Sequence, residues 1–318
     1  MSISNFISKL FNPSKDAEGD TATAANHWDK VQSERKALDY KYFDWGDHPT
    51  LTQLVYGELF DSKRQGILDY LVENYPEFSS KKALSLCCGP GTFERTLVES
   101  NVFADVAGLD VAPGLIADAN AARHPFEDRL SFKLGDVNLG DFGQNNFDIV
   151  FAKAALHHVE RLEPFMEGIR NCLKSGGHLI TIDYFGPSRF QWTDVQLEVS
   201  SKFVEDSIPL ALRRRADKAI YSVTRPTVDE MIKIDPSEAA RSDELEGSIK
   251  DNFKNINSFD LGGTLLNLIF DSSIINNFDE HNDSHNNILE KAFRLERKLI
   301  ASGKLRSDFK FLIAEIDK

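Results

Sequence analysis

The sequence predicts an α/β fold, a parallel sheet with helices on both faces. Three observations predict it. From residue 81 to about residue 185, strand-length apolar runs alternate with helix-length segments. The first run ends in the small-residue turn Cys87-Cys88-Gly89-Pro90-Gly91, which opens into a helix at Phe93. The second run ends on Asp110, about twenty residues beyond that turn, where an acid can meet a ribose.

Taken in order, the first strand is Ala83 to Cys87 and the second is 105–110, followed by a helix from Pro113 to Arg123. Leu130 to Leu134 is the third strand, closed by Gly135-Asp136, and Phe147 to Phe151 is the fourth. A helix over Leu162 to Leu173 and a turn at Lys174-Ser175-Gly176-Gly177 lead to a fifth strand, His178 to Asp183. Residues 81–185 are therefore read as a ligand-binding core. Gly89 and Gly91 allow the sharp bend after the first strand and leave room for a ligand to approach the backbone.

Before the core, residues 1–25 read as an apolar segment and a flexible linker. Ile3, Phe6, Ile7, Leu10 and Phe11 fall on one helical face over residues 2–11, and residues 12–25 are small and polar. That face has two readings: docking on the protein's own surface, or contact with a membrane surface or a partner. Residues 26–80 form a helical, aromatic-rich lid, broken at His48-Pro49, with Asp47 or Thr50 as the expected cap of the next helix. Residues 186–253 read as an inserted helical cap and residues 254–318 as the end of the core. The latter holds a short strand near 254–260, an amphipathic helix from Asn286 to Ser302 and a final strand from Ser307 to Ile316.

Composition narrows the function. The chain has 318 residues, with 50 Asp and Glu against 37 Lys and Arg, a net charge of −13. That balance argues against general nucleic-acid binding, which depends on neutralising phosphates. The cysteines are Cys87, Cys88 and Cys172. Two are adjacent, so the set builds neither a disulfide framework nor a spaced metal motif, and no metal is expected. No apolar run is long enough to span a bilayer, and there is no cleavable signal. The expected location is cytoplasmic, peripheral to the inner membrane under the second reading of residues 2–11. The oligomeric state is not legible.

Two nucleotide ligands suit the glycine turn and Asp110: a dinucleotide and S-adenosylmethionine. The dinucleotide fingerprint needs a third glycine, and Phe93-Glu94 stands in its place. Further landmarks follow in order: Gly135-Asp136-Val137, Phe147-Asp148-Ile149-Val150, Leu156-His157-His158-Val159 and Leu173-Lys174-Ser175-Gly176-Gly177-His178-Leu179. Over residues 80–185 this set resembles the Rossmann-like, class I S-adenosylmethionine-dependent methyltransferases. The resemblance implies a seven-stranded sheet whose last strand is antiparallel.

It also implies roles. Gly89 and Gly91 would lie along the methionine part of the cofactor, and Asp110 would hold the ribose. Asp136 would meet the adenine amino group, Val137 would offer its N–H to the ring, and Ala152 and Lys153 would flank the amino-acid moiety. The family usually has an acid at the position of Ser85 and a glycine at that of Cys87, so both sites depart from its pattern. His157 and His158 are candidate bases for a hydroxyl acceptor. In related O-methyltransferases the second histidine of such a pair is partnered by an acid ending strand five, here Asp183.

Tyr184, Arg189 and Trp192, just past strand five, are candidate substrate contacts, and Arg241 is expected to point into the cleft from a helix capped by Asp235. The phrases Phe185 to Trp192 and Asp235 to Ser242 resemble bacterial methyltransferases found alongside glycosyltransferases. The expectation is O-methylation of a sugar or related small molecule, in surface-polysaccharide assembly. The alternatives are a natural-product or lipid-quinone methyltransferase, and a non-catalytic cofactor-binding partner subunit.

Overall fold

A computed structural model describes residues 18–38, 40–60, 66–215 and 218–318. The apolar face at residues 2–11 lies outside the described residues. Seven strands form one sheet in the order β3-β2-β1-β4-β5-β9-β8. They are β1 (Lys82–Leu86), β2 (Asp105–Asp110), β3 (Leu130–Leu134), β4 (Phe147–Lys153), β5 (Leu173–Tyr184), β8 (Phe253–Gly262) and β9 (Phe309–Ile316). β1 pairs in parallel with β2 and β4, β2 with β3, and β4 with β5, whereas β9 runs antiparallel to both β5 and β8. The chain order reverses between β1 and β4, so the switch point where such sheets bind ligands lies at the carboxyl ends of these two strands.

The central strands, β1 and β4 among them, are buried on both faces because helices cover both, whereas the edge strands β3 and β8 are only partly buried. Ala83, Ile149, Phe151, Ile180 and Phe311 face one buried cluster with Leu97, Val98 and Leu289. Leu84, Leu86, Val150, Leu179 and Leu312 face the other with Phe165, Ile169 and Leu245. The alternation of Ala83, Leu84 and Leu86 between clusters is the two-residue period of a strand.

Several expectations are corrected. Residues 18–25, read as linker, belong to a helix over Glu18–Leu38. The helix Pro49–Leu59 is capped by His48, whose Nδ1 accepts from Thr50 N at 3.3 Å, and not by Asp47 or Thr50. Pro49 occupies its first turn, where no N–H is needed. β5 begins at Leu173, so the expected Lys174–Gly177 turn is an irregularity within the strand, with Gly176 at φ 69°. Asp235 closes the helix Val228–Ile234 at its C-terminal end and does not start one. The 186–253 region holds the helices Asp194–Ser207, Val228–Ile234 and Leu245–Asn252 and a two-stranded ribbon, β6 (Arg214–Arg215) with β7 (Lys218–Ala219).

Candidate active site

The glycine turn leaves β1 at Leu86 and enters the helix Thr92–Glu99, with Gly91 as its left-handed N-cap at φ 69°. A Cβ on Gly91 would stand 2.6 Å from Phe132 Cζ, so this glycine is required by both conformation and space. Gly89, at φ 54°, has open space where a side chain would be. Its N–H donates to Asp110 Oδ2 at 2.8 Å, and Ala112 N donates to Asp110 Oδ1 at 2.9 Å. The turn and the end of β2 are thereby locked together. Cys87 also takes a positive φ, 50°. A glycine would adopt that conformation without strain, which gives a physical reason for the family's preference there.

Burial raises the Cys87 thiol pKa well above its ordinary value, and the charges of Asp110, Asp183, Asp136 and Asp235 raise it further. Carboxylates thus surround the strand ends, an environment that favours a cationic ligand. Asp136 caps a short turn by accepting from Asn138 N at 2.8 Å, and its other oxygen accepts from Thr21 Oγ1 at 2.6 Å. Each oxygen retains a lone pair for a ligand donor. Thr21 comes from the helix Glu18–Leu38, which lies over this end of the sheet. Asp29 of that helix accepts from Gly114 N at 3.3 Å, and Trp28 meets the His158 ring edge-on with centroids 5.3 Å apart. Val137 and Ala152 are buried. Lys153 is half-exposed, with Nζ 4.9 Å from the centre of the Phe93 ring and 3.9 Å from Asp47.

Asp183, at the end of β5, is buried and accepts from the backbone N–H groups of Ala155, Leu156, His157 and Tyr184 at 2.9, 2.7, 3.3 and 2.8 Å. It therefore fixes the turn after β4 that carries the histidines. The imidazole it holds is His157, whose Nδ1 is 2.6 Å from Asp183 Oδ1. The expected pairing of Asp183 with His158 is corrected: the first histidine of the pair meets the acid. His157 Nε2 is 3.4 Å from Glu238 Oε1. Burial works against a charge on His157, but the two carboxylates outweigh it and raise its pKa to about 10. The same pairing holds Asp183 below its ordinary value although burial opposes it.

His158 is different. Burial, and then the charge of His157, lower its pKa. Ser237 donates its single hydroxyl proton to Asp235 Oδ1 at 2.7 Å, so towards His158 Nδ1, 3.1 Å away, its oxygen can only accept. The His158 proton therefore sits on Nδ1, and Nε2 keeps a lone pair. His157, His158 and Glu238 each offer an atom within 4.8 Å of the others, a spacing open to a metal ion. The proton that two carboxylates retain on His157 competes with such an ion for the ring's lone pair.

The residues expected to contact a substrate have partners within the protein. Tyr184 is buried between Phe190 and Phe309, and its hydroxyl donates to Pro187 O at 3.0 Å. Arg189 donates to the carbonyls of Pro236 and Glu238, tying the segment that carries Ser237 and Glu238 to the end of β5. Trp192 stacks on Phe190 with centroids 5.2 Å apart. Arg241 does not enter the cleft. It forms ion pairs with Glu163 and Glu244 at 2.8 and 2.6 Å. Sequence reasoning passed over Glu238, Ser237 and Asp235 as site residues, although the stretch containing them had been singled out. It gave Glu94 no role. Glu94 is 3% exposed and accepts from Ser85 Oγ at 2.6 Å.

Residues 84–181 match the model of the methyltransferase domain family. A sterol 24-C-methyltransferase of Gibberella zeae is 30% identical over 161 residues, 50% of this chain and 40% of that protein. The erythromycin 3''-O-methyltransferase of Saccharopolyspora erythraea is 29% identical over 164 residues, 48% of this chain and 53% of that protein. A highly reducing polyketide synthase of Calcarisporium arbuscula is 31% identical over 119 residues, 36% of this chain and 5% of that protein. The matches thus take in about half or less of these relatives' own lengths. Among solved structures, phosphoethanolamine N-methyltransferase 2 of Haemonchus contortus aligns at 16% identity and a TM-score of 0.49, over 89% of this chain and 60% of that one.

Proposed function

We propose that the chain, whose residues 84–181 match the methyltransferase domain family, is an S-adenosylmethionine-dependent enzyme that transfers a methyl group to a hydroxyl of a sugar or a related small molecule. The cofactor supplies an electrophilic methyl group when bound. The residues at the strand ends suit it: a glycine turn with open space beside Gly89, and Asp110 and Asp136 with lone pairs to spare.

The observation that carries the acceptor reading is the state of His158. A hydroxyl oxygen becomes a competent nucleophile as its proton leaves, so the reaction needs a base that is neutral at working pH. His158 is that base. Ser237 and Asp235 hold its proton on Nδ1, which leaves Nε2 to take the acceptor's proton. His157 keeps its own proton between Asp183 and Glu238 and lowers the basicity of His158 through its charge. One histidine charged and its neighbour neutral is the separation of pKa values that divides acid and base roles. When His158 is protonated, Asp235 and Glu238 stabilise the new charge.

The erythromycin 3''-O-methyltransferase among the relatives supports a sugar hydroxyl as acceptor. An amine needs no such base to the same degree, and an alkene carbon presents no acidic hydroxyl. The test is an acceptor screen with isotopically labelled cofactor over hydroxyl-bearing glycosides, amines and sterols, with the methylated atom identified by mass spectrometry and NMR. Methyl ethers support the proposal. Transfer to nitrogen or carbon with hydroxyl acceptors untouched overturns it.

A further inference from the structure

Glu94 is an acid beside the glycine turn with one carboxylate oxygen that no described residue hydrogen-bonds. Its Oε1 accepts from Ser85, a neutral hydroxyl, and its Oε2 is buried without a hydrogen-bond partner. Asp235 Oδ2 is also without a hydrogen-bond partner, but it lies 3.8 Å from His158 Nδ1 and its Oδ1 accepts from Ser237 N and Oγ, and three further buried acids among the described residues are provided for. Glu296 accepts three backbone N–H groups, from Gly263, Leu265 and Leu266. Asp183 accepts four and an imidazole, and Asp110 accepts two. An under-satisfied buried carboxylate is costly, and a fold retains one where a ligand completes it.

The chain's neighbouring cations are otherwise engaged. Arg95, next in sequence, turns its guanidinium to Pro90 O and Thr92 Oγ1. Lys153 lies over the Phe93 ring and beside Asp47. Glu94 stands in the first turn of the helix that leaves the glycine turn, and its bond to Ser85 ties it to β1 just before that turn. It therefore sits at the base of the loop that would hold the methionine end of the cofactor.

We propose that the Glu94 carboxylate is the counter-charge for the α-ammonium group of bound S-adenosylmethionine. This rests on the cofactor reading and goes beyond it. The cofactor's other cation, the sulfonium, has to lie within reach of the acceptor and hence of the histidine pair. The carboxylates that act on that pair are Asp183, Glu238 and Asp235, whereas the charges bearing on Glu94 are those of Lys153 and Asp110. Burial raises the Glu94 pKa to about 7, so the free protein holds a proton there part of the time near neutrality. Binding of the ammonium displaces that proton to solvent.

The test is calorimetric titration of the full chain with S-adenosylmethionine and with S-adenosylhomocysteine, which keeps the ammonium and lacks the sulfonium. Wild type, Glu94→Gln and the double variant Ser85→Asp, Glu94→Gln are compared between pH 6 and 8 in two buffers of different ionisation heat. Thermal melting checks that each is folded. The expected result is a loss of about tenfold or more for both ligands in Glu94→Gln. Proton release should be seen with wild type and abolished by the substitution, and the double variant, with a carboxylate restored beside position 94, should regain affinity. Unchanged affinity in folded Glu94→Gln overturns the proposal, and so does a loss confined to S-adenosylmethionine, which would place the carboxylate at the sulfonium. Wild type binding neither ligand overturns the cofactor reading itself, an outcome distinct from either.

Discussion

His157 Nδ1 lies 2.6 Å from Asp183 Oδ1, and the same carboxylate binds four backbone N–H groups around the two strand ends. One side chain thus both fixes the turn after β4 and sets the charge of the first histidine. The arrangement separates two roles that adjacent histidines would otherwise share. His157 is held cationic, and His158 is left neutral.

The first prediction concerns that charge. The His157 ring, with a pKa of about 10, should stay protonated through pH 8 in an NMR titration. Its folded value lies above its ordinary 6.5, so the stability it contributes is full below about pH 6.5 and is lost as pH rises through about 10. Asp183→Asn should lower the ring's pKa and flatten this alkaline loss, while costing stability because an amide NH2 cannot accept from the backbone donors. A ring that titrates near 6.5 in the wild-type protein would contradict the assignment.

Catalysis should follow His158. Its pKa is lowered by burial and then by His157, so the acid limb of kcat should fall below pH 6.5, with the rate dropping as the base becomes protonated. His158→Gln should reduce kcat by roughly 10²- to 10⁴-fold with cofactor affinity nearly unchanged. Ser237→Ala removes the acceptor that holds the Nδ1 proton, so a smaller loss of kcat is expected. Steady-state rates across pH, with cofactor binding measured separately, distinguish these outcomes from a binding defect.

The sheet was legible because its central strands, buried on both faces, read as short apolar runs, and the edge strand β3 reads as an alternating one. β2 and β3 lie where the periodicity placed them, and β1 and β4 are displaced only at their ends. The Lys174–Gly177 stretch has, at Gly176, the positive φ that a glycine allows, but it falls in a register shift within β5, between Leu173 and His178, which both pair with β4. Cap positions were harder. His48 accepts a backbone N–H as Asp would, a role its residue type rarely signals.

At the site, residues on one side of the sheet could be read and residues brought from afar could not. Asp183 and the histidines are separated by one helix and fall at adjacent strand ends by topology. Ser237 and Glu238 come from almost eighty residues beyond His158, and no period or motif spacing announces their approach. Arg241 illustrates the converse: an arginine near the cleft in sequence was answered by Glu163 and Glu244 instead. The assignment of Asp183 to the second histidine followed the family's habit, and the turn Leu156–His158 presents the first ring to it.

The glycine turn yields a steric prediction. Gly91→Ala places a Cβ 2.6 Å from Phe132 in a left-handed conformation. Phe132 is itself packed against the Cβ direction of Gly108, so it has little room to retreat. A stability loss of about 1–3 kcal/mol is expected, together with weakened cofactor binding. Gly89→Ala meets no neighbour, so a milder loss of stability is expected from backbone strain alone. Denaturant unfolding and calorimetric titration of both variants would check the contrast, and equal effects at the two positions would contradict it.

Glu94 links binding to stability with opposite signs. Its folded pKa is about 7 against an ordinary 4.5, the direction expected of an acid whose charged form is penalised by burial. Between those values the folded state binds the proton better than the unfolded state does, so this group's contribution falls as pH rises from about 4.5 through 7. Asp308, also raised to about 7, acts in the same direction and remains in the variant. Glu94→Gln removes a titrating charge without removing the side chain's bulk. The ligand-free variant should therefore melt higher than wild type at pH 8, and the difference should close at pH 5, where Glu94 carries its proton. Cofactor or its demethylated product at saturating concentration should narrow or reverse the difference at pH 8, because the ligand stabilises the protein that binds it more tightly. Melting curves at the two pH values, with and without S-adenosylhomocysteine, measure all three. A pH-independent difference between wild type and variant would mean that Glu94 does not titrate in this range.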